Sequence, residues 1–145
     1  EVYFMEGIGE HEFLPHGAST SPLDGVVQPA SFSRPQAIDW DGDGDVDLVL
    51  SSPWRTSYFE RLTNGHLKPQ TGDHNPFRWL VQSINQVVDF DADGLWDIAS
   101  QNTSHMTFWK QVADDSLIAL TGQANPFQQV KVGTCWLFVV DWDGD

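Results

Sequence analysis

Basic residues are scarce in this sequence, cysteine is nearly absent, and long apolar runs are missing altogether. Seven Lys and Arg stand among 145 residues. They form no stripe that could neutralise phosphates, which excludes a nucleic-acid partner. The one cysteine, Cys135 in "CWLFVV", has no partner in the chain and reads as a buried structural thiol. That excludes an internal disulfide framework and leaves the compartment open. No stretch approaches the ~20 apolar residues of a membrane-spanning helix, so no transmembrane segment is expected. No signal peptide is visible either. The chain lacks an initial Met and stops mid-motif at "DWDGD", so it is read as a processed or partial piece of a longer protein. No segment keeps apolar residues at i, i+3, i+4 and i+7 over three turns, so helices are not expected. G-x-S-x-G, P-loop and dinucleotide fingerprints are all absent.

Aromatic residues and aspartate are abundant. Seven Trp and nine Phe in a chain that is 40% hydrophobic exclude a disordered segment. The length suits one domain with a modest core. The net charge is −14, yet 12 of the 21 acidic residues sit in three short clusters: Asp39, Asp41, Asp43, Asp45 and Asp47; Asp89, Asp91, Asp93 and Asp97; Asp141, Asp143 and Asp145. The remaining 9 acids face 7 bases, an ordinary balance. Carboxylates this close repel one another by roughly 1 kcal/mol per pair even in water. The clusters therefore read as cation sites.

The clusters belong to a repeat. "AIDWDGDGDVDLVLSS" (37–52), "VVDFDADGLWDIASQ" (87–101) and "VVDWDGD" (139–145) share one frame, and their first aspartates lie 50 and 52 residues apart. "TGDHNPF" (71–77) and "TGQANPF" (121–127) are also 50 apart, and "YFERLTNGHLKPQ" matches "FWKQVADDSLIAL" in register between them. The opening "VYFMEGIGEHEFLP" resembles the same aromatic–turn–apolar piece. The expected division is an incomplete unit over 1–36, repeats over 37–86 and 87–138, and the start of another over 139–145. Each unit reads as a strand into the acidic loop, an alternating strand out of it, two more short strands, and a closing "TGxxNPF" turn. Four short strands per ~50 residues predict an all-β fold built from four-stranded blades of a β-propeller.

Within the first loop, carboxylates fall at positions 1, 3, 5 and 9 (Asp39, Asp41, Asp43, Asp47) with Gly44 at position 6. The second repeats this with Asp89, Asp91, Asp93, Asp97 and Gly94. Position 7 is Asp45 in one and Leu95 in the other, a freedom expected where only the backbone carbonyl is offered. Hard oxygen donors in this number suit Ca²⁺, with Mg²⁺ demanding stricter geometry and zinc finding no Cys or His. An EF-hand would need a bidentate carboxylate at position 12, where Leu50 and Ser100 stand instead. Two Ca²⁺ sites are expected, with a third at Asp141, Asp143 and Asp145 if that loop is completed.

The pattern Asp-x-Asp-x-Asp-Gly-x-x-Asp inside an all-β repeat resembles the FG-GAP/VCBS calcium-loop repeats of integrin α-like propellers and many secreted proteins. "DWDGDGDVDLVLSS" is close to that family's consensus. The Phe-Gly and Gly-Ala-Pro elements that name the family are not visible, which favours the broader VCBS-like group. The resemblance implies that the loop is a hairpin between the first two strands of a blade. It further implies a calcium-stabilised, non-enzymatic module for protein or carbohydrate binding, adhesion or scaffolding, in an extracellular or lumenal compartment, and a role as an accessory subunit of a larger assembly fits the same facts. The alternative is the propeller of a polysaccharide lyase-like or other carbohydrate-active enzyme.

A little under three blades cannot close a ring, so further blades in the same chain or a partner should cover the open edges. The partner is expected to be a protein or a glycan. The periodic aromatics, Trp40, Phe90 and Trp142 among them, read as packing between blades, whereas the non-repeating Trp54 and Trp79 are candidates for a recognition surface. The five histidines do not recur at the repeat period and read as surface or turn residues. Asn102 opens an N-glycosylation sequon, relevant only to a secreted chain.

Overall fold

Every described strand of this protein is short, and within each sheet every strand pairs with the next in sequence. The structure is a computed structural model that describes residues 4–17, 21–27, 32–81, 83–112, 116–133 and 138–140. The chain opens with an antiparallel hairpin of β1 (Met5–Gly9) and β2 (Glu12–Pro15). A four-stranded meander follows: β3 (Arg34–Ile38), β4 (Asp47–Ser51), β5 (Thr56–Arg61) and β6 (Leu67–Gln70), hydrogen-bonded in that order. The second meander is β7 (Ile84–Val88), β8 (Asp97–Gln101), β9 (Met106–Val112) and β10 (Ser116–Leu120). All pairs are antiparallel. The all-β fold with four-stranded blades expected from the repeat is what forms.

The two sheets share one register. Ile38 faces Asp47 as Val88 faces Asp97, and Tyr58 faces Gln70 as Phe108 faces Leu120. Each acidic loop joins the first two strands of its sheet, as the family resemblance implied. All five residues of β4, and all five of β8, are buried. These strands therefore lie inside, covered on both faces, and their alternation divides two cores. Val49 points into a core built by Ile38, Trp40, Tyr58, Phe77 and Leu80 of the first unit with Val87 and Ile98 of the second. Leu48 and Leu50 join Phe59 and Leu67 on the opposite face. Phe77 is wholly buried, worth on the order of 2–3 kcal/mol from apolar burial alone.

The closing segment of each unit is anchored by one side chain. Asn75 Oδ1 accepts the Phe77 N–H at 2.9 Å, and its Nδ2 donates to the Thr56 carbonyl at 3.1 Å. Asn125 repeats both bonds, to the Phe127 N–H at 2.9 Å and the Met106 carbonyl at 3.0 Å. The amide thus fixes a turn and ties it to the first residue of β5 or β9. Gly72 and Gly122 begin these turns at φ of +58° and +59°, in the left-handed region that favours glycine. A third copy stands at Ser21-Pro22-Leu23. There the Leu23 N–H donates to Ser21 Oγ at 3.1 Å, and Leu23 and Val26 pack against Leu48, Leu50, Phe59 and Leu67. The segment at Leu23 and Val26 thus covers the first sheet, and the one at Phe77 and Leu80 packs between the first and second sheets.

Polar bonds fix the spacing between the sheets. The Gln36 amide donates to the Val87 carbonyl at 3.1 Å and accepts the Val87 N–H at 3.0 Å, imitating a peptide group. Asn85 is buried and donates from its backbone to Ser51 Oγ at 2.9 Å and from Nδ2 to Thr56 Oγ1 at 2.8 Å. Cys135 and the loop begun by Asp141, Asp143 and Asp145 lie outside the described residues.

Candidate metal centres

The position-1 aspartate organises each loop. Asp39 accepts the Gly42 N–H at 2.9 Å on one oxygen and the Gly44 N–H at 3.0 Å on the other. Asp89 accepts the Asp93 N–H at 3.2 Å and the Gly94 N–H at 3.0 Å. Closing so small a ring requires backbone in the left-handed region. Gly42 and Gly44 have φ of +73° and +93°, and Ala92 and Gly94 follow at +56° and +86°. Ala92, at the place of Gly42, holds a conformation that is costly for a residue with a Cβ. Position 5 closes the next turn: Asp43 accepts the Asp45 N–H at 2.8 Å, and Asp93 accepts the Leu95 N–H at 2.9 Å.

The loops bring carboxylates together. Oxygens of Asp39, Asp41 and Asp43 lie within 4.8 Å of one another, as do those of Asp89, Asp91 and Asp97. Asp45 and Leu95, at position 7, are partly exposed and exposed respectively and belong to neither convergent group. The position-9 aspartates are buried and carry a second duty. Asp47, 2% exposed, accepts the Trp40 N–H at 3.2 Å and the Tyr58 hydroxyl at 2.6 Å on one oxygen, and the Arg61 N–H at 2.7 Å on the other. Asp97, wholly buried, accepts the Phe90 N–H at 3.3 Å and the Gln111 N–H at 3.1 Å. Each therefore bolts its loop to the third strand of its own sheet.

With the two loops and their sheets superposed by a single 50-residue shift, the chain can be compared with known families. The family model described as an FG-GAP-like repeat matches residues 39–100, from the first loop aspartate to the interior of β8. No curated protein and no solved structure matches the chain. The FG-GAP-like match and the two four-stranded meanders support a propeller-type repeat module.

The donor set fits a hard divalent cation. Every convergent side chain is a carboxylate, and nitrogen and sulfur ligands are absent from both groups. The electrostatics of the loops differ. Burial, then the charges of Asp47, Asp43 and Glu60, push the Asp41 carboxyl above its ordinary range, against the Asp43 N–H bond. In the second loop the Lys110 ammonium donates to Asp91 and, at 2.8 Å, to Asp93. That contact and the Leu95 N–H hold Asp93 below the ordinary carboxylate range. Burial raises Asp97 in spite of its two backbone bonds. Tyr58 is raised far above a free phenol by burial and by its bond to Asp47.

Three participants escape the aspartate spacing. Lys110 corresponds to Glu60 in the first unit, and the swap is visible when "YFERL" is set beside "FWKQV". Tyr58 corresponds to Phe108, so only the first position-9 aspartate receives a hydroxyl. The Trp96 indole N–H donates to the Asp39 carbonyl, linking the second loop to the first; no sequence signal announces that bond.

Of the periodic loop aromatics, Trp40 lies in the core between the two sheets, Phe90 packs on rings of its own unit, and Trp142 lies outside the described residues. Trp40 and Tyr58 meet Phe77 edge-on at 4.5 and 5.7 Å, and their counterparts Phe90 and Phe108 meet Phe127 at 5.4 and 6.0 Å. Trp54 and Trp79 are exposed, the latter stacked under the Arg78 guanidinium at 4.8 Å. A cleft of about 390 Å³ opens beside the first loop, lined by Trp40, Asp41, Tyr58, Glu60 and Arg78 among others.

Proposed function

We propose that this chain is a calcium-stabilised segment of a β-propeller that serves as a non-enzymatic binding or scaffold module outside the cytosol. The observation that carries the reading is the pair of loops in one register, each gathering three carboxylates around a common point. Asp39, Asp41 and Asp43 would hold one ion, and Asp89, Asp91 and Asp97 the other, with the carbonyls of Asp45 and Leu95 as further donors. A bound ion supplies the positive charge that so many neighbouring carboxylates require. Free Ca²⁺ high enough to fill such loops favours an extracellular or lumenal setting.

The open face supports a further blade as one neighbour. Trp40 and Leu80 are each 3% exposed beneath the second sheet, while their counterparts Phe90 and Val130 are each 43% exposed. A surface that is core in one unit and bare in the next is completed by another unit or by a partner of similar shape. For recognition of a protein or glycan, the exposed Trp54 and Trp79 offer flat apolar faces.

The reading is tested by thermal melts in excess chelator, after Ca²⁺ add-back and after Mg²⁺ add-back. A ligand bound only by the folded state at 100 times its dissociation constant stabilises by about 2.7 kcal/mol, or several degrees. Loss of several degrees on chelation, restored by Ca²⁺ and poorly by Mg²⁺, is the expected outcome. Identical melts in all three conditions would overturn it.

A further inference from the structure

The two loops share a backbone and differ in charge. In the first unit, five loop carboxylates are joined by Glu60, whose neighbour across the sheet is Lys68 and whose side chain bonds Gln70. The base closest to that loop, Arg61, directs its guanidinium to the Val46 carbonyl at 2.6 Å and the Gly65 carbonyl at 3.1 Å. It makes no ion pair with a loop carboxylate among the described residues. In the second unit only four carboxylates are present, and the residue in register with Glu60 is Lys110, opposite Ile118. Its ammonium bridges Asp91 and Asp93, positions 3 and 5 of the loop.

We propose that Lys110 is a built-in counter-cation of the second loop, so that the two loops are unequal: the first depends on an external divalent ion, and the second closes on its own ammonium until that ion displaces it. The proposal rests on the calcium reading above. Lysine suits the role because it is a compact charge on a flexible four-carbon stem, able to swing out without moving the strand. Asp91 belongs both to the convergent group and to the ammonium contact. Lys110 must therefore release Asp91 before that carboxylate can serve an ion. The requirement weakens the second loop's affinity and leaves the first untouched. It also leaves the second hairpin ordered when calcium is scarce, whereas in the first the repulsion between Asp39, Asp41 and Asp43 is opposed by backbone N–H bonds and by no ion pair among the described residues.

A site-resolved titration decides this. The Gly44 and Gly94 amides each donate at 3.0 Å to the position-1 aspartate of their loop, so their NMR resonances report the loops separately. CaCl2 is titrated into the full chain and into K110Q, with K110M as a second variant at this partly exposed position. In the wild type, Gly44 is expected to reach its midpoint first, and Gly94 at a concentration about threefold to fivefold higher. K110Q and K110M should lower the Gly94 midpoint about threefold to fivefold and leave that of Gly44 in place. If Gly94 responds together with Gly44 in the wild type, or keeps its midpoint in both variants, the proposal is overturned and the calcium reading survives. If neither amide moves at millimolar Ca²⁺ in any form of the chain, both fall.

Discussion

Replacing Asp47 or Asp97 by asparagine preserves shape and removes one charge. Here it should be severe, even without any ion. Both oxygens of Asp97 accept a backbone N–H, from Phe90 on one and Gln111 on the other. An asparagine in either flip must point its NH2 at one of those donors, leaving a buried N–H without an acceptor. A buried donor so orphaned costs about 1–3 kcal/mol, and loss of a hydrogen bond to a charged group adds to this. The D97N variant should therefore lose about 2–3 kcal/mol. For Asp47 the donors are the Trp40 and Arg61 N–H groups, and the Tyr58 hydroxyl can turn round to soften only its own loss. D47N should fall in the same range. In a chain of this size 1 kcal/mol moves the Tm by roughly 3–5 °C, so each variant should melt about 6–15 °C below the wild type. The assay is near-UV circular dichroism through a thermal scan in excess chelator. If either variant matches the wild type there and differs only once calcium is added, the buried aspartates are ligands and nothing more, and the bolting role assigned to them is wrong.

Two further predictions concern groups outside that pair. N75D and N125D keep the acceptor for the Phe77 or Phe127 N–H but set a carboxylate against the Thr56 or Met106 carbonyl; each should cost about 2 kcal/mol, read as a lowered denaturant midpoint with an unchanged slope. In chelator, D41N and D93N should act in opposite directions. The Asp41 carboxyl is raised above 3.8, so the stability it contributes is present below that value and lost as pH rises, and its removal should raise the neutral-pH Tm. Asp93 is lowered by Lys110, so its contribution is present above 3.8 and lost as pH falls through its depressed value. D93N should lower the neutral-pH Tm and flatten the acid limb of the stability curve. Shifts of the same sign would refute the assignment.

The repeat period and the loop spacing were legible because they are covalent facts: Gly44 and Gly94 must sit where the backbone turns left-handed, and Val49 and Ile98 must alternate with their neighbours to fill a core. Contacts made at a distance were not. Nothing near Asp47 announces that Tyr58, eleven residues on, will donate to it, and the third closing turn was hidden because Ser21 does with a hydroxyl what Asn75 does with an amide. Lys110 lay in plain view, but reading it required comparing units for difference instead of likeness.

The closing segments have a mechanical consequence. The path from β6 to β7 does not hang free at the surface, since Phe77 and Leu80 are packed between the two sheets it connects. A linker embedded in the contact it spans cannot work as a hinge, because swinging one sheet from the other would first expose the linker's own aromatic ring to water. The pitch between successive units is thus set by the same residues that fill the core, and the assembly should transmit a push or pull along its length as one stiff body.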